Sequence, residues 1–105
     1  MNMQVITFPL DGISEQDYLR LIEFAALAFA ELPGLVSKTW LANAETNTYG
    51  GVYLWQDRES MEGYAETDVF KQMAANPNFK DFTKKEFDVP EGPSRITRGL
   101  VQATA

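Results

Sequence analysis

At 105 residues the chain has the length of one domain, enough for a hydrophobic core and too short for two independent ones. It contains neither cysteine nor histidine, which excludes disulfide scaffolds, thiolate and imidazole chemistry and the usual ligands of transition metals. Fifteen acidic residues against nine basic ones give a net charge of −6, so neither nucleic acid nor an anionic membrane is an expected partner. No stretch approaches the roughly 20 apolar residues that span a bilayer, and no basic-then-apolar leader is visible, so a cytoplasmic location is the default expectation.

Along the chain, Met3 to Leu10 is a β-rich run with Val5, Ile6, Thr7 and Phe8, closed by the turn residues Asp11-Gly12. Ser14 followed by Asp17 reads as a capping-box start with Asp in place of Glu. The helix that follows is expected to run to about Leu32. Its buried stripe is Tyr18, Leu21, Ile22, Ala25, Ala28, Phe29 and Leu32, with Leu27 on the opposite, charged side. Pro33-Gly34 ends it, because proline cannot continue a helix and glycine takes the left-handed conformation readily.

Leu35 to Ala42 and Tyr49 to Gln56 are two strand-like runs around the polar segment Asn43 to Thr48, and they read as a β-hairpin. Asp57 suits the N-cap of a shorter helix through Met61, Tyr64 and Ala65, with Val69 to Ala75 as a continuation or a separate turn and Asn76-Pro77 as the stop. A fourth strand is expected within Lys80 to Val89. Pro90 to Pro93 then leads into a tail, Ser94 to Ala105, of no strong pattern. The order β, α, β, β, α, β is that of a single ferredoxin-like α+β domain, an antiparallel sheet with both helices on one face.

The outer face of such a sheet should be polar, yet a hairpin closed symmetrically about Asn43 to Thr48 sets Trp40 opposite Gly51, Lys38 opposite Tyr53 and Val36 opposite Trp55 on one face. Leu35, Leu41, Val52 and Leu54 then share the other. Strand one repeats this, with Met3 and Val5 on one side and Ile6 and Phe8 on the other. Two helices cover one face only, so the second calls for a cover, most simply a second copy of the sheet in a homodimer. The tail folding back is the alternative, with only Ile96, Leu100 and Val101 to offer.

Pro33-Gly34-Leu35, Lys38-x-Trp40, Gly50-Gly51-Val52-Tyr53-Leu54, Asp57 with Ser60 and Tyr64, Phe87-Asp88-Val89 and Pro93-Ser94-x-Ile96-Thr97-Arg98 follow one another across most of the chain. In order and spacing they resemble the YdhR family, small bacterial proteins of the dimeric α+β barrel group whose mono-oxygenase name rests on likeness to cofactor-free oxygenases of polycyclic aromatics. The resemblance implies a two-fold dimer whose sheets join into a barrel, and a cavity between helices and sheet in each subunit.

A cofactor-free oxygenase acts on phenols and hydroquinones whose anions pass an electron to dioxygen, so the protein need only bind, deprotonate and exclude water. Lys38 and Tyr53 are the candidate catalytic residues, and Trp40, Trp55, Tyr49 and Arg58 the candidate substrate contacts, with Lys38 or Arg58 facing a phenolate. The same aromatics equally suit core or dimer packing, and the Lys38 stem equally suits an apolar surface with its amine in water. Gly50-Gly51 reads as ligand access, a bulge or room for the Trp40 indole. Asn43, Glu45 and Asn47 read as a gate or an ordinary hairpin loop, and Arg95 and Arg98 as cross-dimer ion pairs or a solvated tail. With no His, no Cys, no GxGxxG turn and no calcium-loop spacing, neither metal, flavin nor nicotinamide is expected as cofactor. Three functions stay open at this point: a cofactor-independent mono-oxygenase of a small aromatic compound, a small-molecule-binding or sensing dimer, and a purely structural dimer module.

Overall fold

The computed structural model describes residues 1–100. Its elements are β1 (Asn2–Phe8), α1 (Glu15–Ala30), β2 (Leu35–Asn43), β3 (Thr48–Trp55), α2 (Arg58–Gly63), α3 (Asp68–Ala75), β4 (Thr83–Asp88) and α4 (Glu91–Ile96), with a 3-10 turn, Tyr64–Glu66, between α2 and α3. The strands form one antiparallel sheet in the order β2-β3-β1-β4, with helices packed on one face. This is the ferredoxin-like α+β fold. No helix among the described residues is long and apolar enough to cross a membrane.

Local signals account for most boundaries. The Ser14 side chain accepts from the Asp17 N–H at 3.1 Å and starts α1, and Asp57 accepts from the Ser60 N–H at 2.8 Å and starts α2. The Thr67 hydroxyl does the same for α3 through the Phe70 N–H at 3.2 Å, so the segment after Tyr64 is a separate helix and not a continuation. α1 ends at Ala30, two residues short of the expected Leu32, and Pro33-Gly34 forms the turn beyond it. There the Leu35 N–H meets the Leu32 carbonyl at 3.2 Å and Gly34 sits at φ 76, the positive value that the third position of a type II turn requires. The weakly patterned tail begins as α4, in which Arg95 pairs with Glu91 at 2.8 Å; Val101 and the rest of the tail lie outside the described residues.

Alternation along β1 sends Ile6 and Phe8 toward the helices and Met3 and Val5 away from them, as the pattern implies. In the hairpin, Trp40 faces Gly51 and Lys38 faces Tyr53, but a bulge between Leu35 and Ser37 shifts the register beyond them. Trp55 therefore lies opposite Leu35 and not Val36. The extra residue turns Leu35 into the core and leaves Val36 exposed, which corrects the expected places of both.

The helix-facing core has two parts. Ile6, Phe29, Leu32, Tyr53, Trp55, Met61 and Tyr64 form one cluster, and Phe8, Tyr18, Tyr49 and Phe79 form the other. At the start of β1 and along β4 the same face is polar. Asn2 donates to Asp88 at 2.9 Å, Gln4 donates to Glu86 at 2.7 Å, and the Trp55 indole N–H donates to the Gln4 side-chain oxygen Oε1 at 3.2 Å, so every one of these buried groups is satisfied.

Candidate active site

Between the two core clusters α1 does not close on the sheet. A cavity of about 310 Å³ remains there, lined by rings and aliphatic chains from α1, α3 and the centre of the sheet. Tyr18 and Phe29 of the α1 stripe are buried at its two ends, while Leu21 and Ala28 are exposed on its rim together with Gln72 of α3. The amphipathic stripe is therefore real, but its middle faces a hole.

Lys38 enters this cavity from β2. Its stem crosses Gly51, where a Cβ would come within 2.6 Å of Lys38 Cε, so the missing side chain on β3 is what makes room for the lysine. The glycine pair is thus neither a bulge nor space for the Trp40 indole. Gly50 answers a different need: at φ 149 it passes so close to β1 that a Cβ would stand 1.9 Å from the Ile6 carbonyl oxygen.

The Lys38 amine ends among three ring faces, 3.3 Å from the centroid of Trp40, 3.5 Å from Phe29 and 4.4 Å from Tyr53. No carboxylate lines the cavity among the described residues. Two forces act on the amine in opposite directions. Desolvation penalises the ammonium and pushes the Lys38 pKa down from 10.5 to about 6, while ring quadrupoles attract a cation and moderate the fall. An ammonium in contact with solvent along an apolar surface is not what the fold builds.

Tyr53 lies on the cavity wall and its hydroxyl shares a hydrogen bond of 3.1 Å with that of Tyr64. Burial, reinforced by the neighbouring Tyr64, holds the Tyr53 hydroxyl far above its ordinary range, and burial pushes Tyr64 up to about 12. Both stay protonated and act as hydrogen-bonding groups, not as phenolates. Tyr18 is likewise pushed up to about 12 by burial, then by the nearby Tyr49.

Of the residues named from sequence, Lys38, Trp40 and Tyr53 come together on the cavity. Trp55 does not line it. Its ring is 1% exposed, stacked parallel to Tyr53 at 6.0 Å behind the wall. Tyr49 lies under α1, where its hydroxyl donates to Glu15 at 2.5 Å. Arg58 is exposed on α2 beside Glu62 at 3.9 Å, away from the cavity. In the hairpin loop Asn47 hydrogen-bonds both the amide and the carbonyl of Leu10, and Asn43 accepts from the Thr46 amide, as in an ordinary loop.

The sequence also matches the family described as "Putative mono-oxygenase ydhR" over residues 3–100. The chain belongs to this family. Members of the family are named for a mono-oxygenase activity, and solved structures of similar shape agree in fold. SnoaB, a cofactor-independent oxygenase from Streptomyces nogalater, superposes with a TM-score of 0.68 at 20% identity, covering 86% of this chain and 93% of its own. An antibiotic biosynthesis monooxygenase gives 0.69 at 14% identity, with 85% and 98% covered. The heme-degrader MhuD from Mycobacterium tuberculosis, solved with two hemes in its active site, gives 0.69 at 18% identity, with 86% and 96% covered. At such identities the likeness is one of fold. No curated protein matches the sequence.

Several lining residues carry no signal that singles them out in the sequence. Gln72 and Asn76, four residues apart on or just after α3, supply polar groups to an otherwise apolar wall, and they read as ordinary solvent-side residues of a short helix. Phe29 stands in the stripe with no mark to distinguish a cage wall from a core residue.

Proposed function

We propose that the protein is a cofactor-independent mono-oxygenase of small, electron-rich aromatic compounds, with Lys38 as general base. The observation that carries this reading is the Lys38 amine, which ends among three rings in a cavity that no carboxylate lines among the described residues. Near neutral pH such an amine holds a large unprotonated fraction and takes a proton from a phenol or an activated ring carbon; the resulting ammonium then stabilises the anion beside it. Trp40, Phe29 and Tyr53 provide flat walls for a planar substrate, and Gln72 and Asn76 provide hydrogen bonds that orient it.

The reaction balances without a further oxidant. The substrate anion passes one electron to dioxygen, the radical pair joins as a peroxide, and the Lys38 ammonium returns its proton to the distal oxygen. Loss of water then leaves a carbonyl, so that a ring CH2 and O2 become C=O and H2O. Trp55 stiffens the Tyr53 ring from behind, and Tyr49 anchors the floor to α1. Both serve the wall without touching the substrate.

The working form in this reading is a homodimer. Its support is the outer sheet face, where Met3, Val5, Leu41 and Val52 are only half buried and Phe87 and Val36 are exposed. Light scattering at micromolar concentration should give twice the 11.8 kDa of one chain; a cooperatively folded monomer would refute the dimer.

The activity is tested with chelator-treated, colourless protein, a panel of hydroquinones and anthrones, and an oxygen electrode. Uptake above the uncatalysed rate, abolished by Lys38→Met and weakened by Tyr53→Phe, is expected. Uptake that needs added flavin or iron would overturn the cofactor-free mechanism, and binding without uptake would make the protein a ligand-binding module.

A further inference from the structure

The placement of Lys38 also suits a reaction that oxygen activation does not require. Condensation of an amine with a carbonyl compound needs an unprotonated nitrogen, a fixed approach and a site from which water is largely displaced. Lys38 meets each condition. Its stem is held over Gly51, its nitrogen rests among Phe29, Trp40 and Tyr53, and the space before it is walled mainly by rings and aliphatic chains.

The other lysines differ in all three respects. Lys80 is exposed and bound to Asp11 at 2.6 Å, and Lys84 is exposed with Glu86 at 3.7 Å. Lys71 and Lys85 stand in solvent. The N-terminal amine, an intrinsically weaker base, is tied to Glu91 at 2.9 Å. An ammonium engaged by a carboxylate is a poor nucleophile, so the fold separates one lysine from the rest.

We infer that Lys38 is an imine-forming lysine that captures a neutral aromatic aldehyde in the cavity. The class of carbonyl follows from the walls. No arginine and no second lysine lines the cavity among the described residues, so a carboxylate- or phosphate-bearing aldehyde has no counter-charge, whereas a planar neutral ring fits between the aromatic faces. In the condensation the Nζ lone pair bonds to the carbonyl carbon and the carbonyl oxygen takes up the proton shed by nitrogen. The carbinolamine then loses water to give the C=N bond, with no change in net oxidation state. The released water has a way out past the exposed rim of Leu21, Ala28 and Gln72.

The inference rests on the cavity and the amine, not on the oxygenase reading, and its test runs without oxygen so that the two fail separately. Full-length protein is incubated anaerobically with benzaldehyde and sodium cyanoborohydride, which reduces each imine to a stable benzylamine, and adducts are mapped by peptide mass spectrometry at low total labelling. Lys38 should be benzylated at least ten-fold faster than Lys71 or Lys85. Its rate should also rise less between pH 7 and 9 than theirs. Phenol, a planar neutral ring that suits the cavity but cannot condense, should slow Lys38 alone. Gly51→Ala, which takes the space of the stem, should bring Lys38 to the rate of the exposed lysines while far-UV circular dichroism stays unchanged. Labelling of Lys38 no faster than that of Lys71 and Lys85 would overturn the inference, as would labelling unaffected by phenol.

Discussion

Replacing Lys38 with Met removes the cation that β2 places in the cavity while keeping a stem of similar length, and its effect on stability should depend on pH in a direction the structure dictates. Between a folded-state pKa of about 6 and the ordinary 10.5 the unfolded chain carries more proton on this residue than the native chain. Wild-type stability therefore rises with pH in that window, by up to about 1.4 kcal/mol per unit, while the Met variant lacks this slope. Below the window both states are protonated and the burial penalty is complete, so Lys38→Met is most stabilising near pH 6 and loses its advantage as pH rises.

Attraction of the ammonium to the ring faces, about 1–2 kcal/mol, moves the onset upward, which leaves a net convergence of about 2–3 kcal/mol between pH 6 and 9. The titratable groups facing the amine, Tyr18 and Tyr53, and Tyr64 behind them, are all pushed above that range and do not interfere. Urea unfolding of both proteins, followed by tryptophan fluorescence at each pH, measures the difference directly. Parallel curves across pH 6 to 9 would refute the reasoning, because they would mean that the amine titrates as it does in water.

The two adjacent glycines should behave oppositely. Gly50→Ala sets a Cβ 1.9 Å from a backbone oxygen at a positive φ and should cost at least about 3 kcal/mol in chemical denaturation, whereas Gly51→Ala meets the flexible end of Lys38 at 2.6 Å, with the Thr39 carbonyl oxygen next at 3.3 Å, and should cost about 1 kcal/mol. Similar costs for the two would show that the sheet relaxes around Gly50. The tryptophans should also differ: Trp55→Ala, which empties a closed site, should cost about 3–5 kcal/mol, and Trp40→Ala, which widens a cavity already present, about 2 kcal/mol. The same urea series decides the order, and a reversed order would put Trp40 in the tighter environment.

How much of this was legible depends on what each signal reports. Ser14 and Asp57 mark helix starts because a cap is a contact within four residues, and hairpin closure set Lys38 beside Tyr53 because strand pairing counts residues from a loop. Nothing in Leu35-Val36-Ser37 announces a bulge, since no glycine marks it and its cause lies in the turn before it and the core beneath. Periodicity identifies the face that α1 turns inward but carries no information on whether that face meets a partner, so the hole opposite Leu21 and Ala28 stays hidden. Tyr49 and Trp55 lie off the cavity that Trp40 lines, and the sequence does not separate them for a related reason. Residues sharing one strand face share a direction, while depth beneath a helix is a tertiary property.

The bulge before Ser37 also decides where this strand tolerates a change of length. With either Val36 or Ser37 lost, β2 would alternate regularly from Leu35 through one outward residue to Lys38, with Leu35 and Lys38 still turned inward. A loss of Thr39 would instead send Lys38 and Trp40 to opposite faces. Length variation at the head of this strand should thus be absorbed at the bulge, and chains one residue shorter there can keep both the turn and the amine in place. For comparing relatives of different length, the Val36-Ser37 pair is the natural site of the gap, and a gap placed between Lys38 and Trp40 would assign one of the two to the wrong face of the sheet.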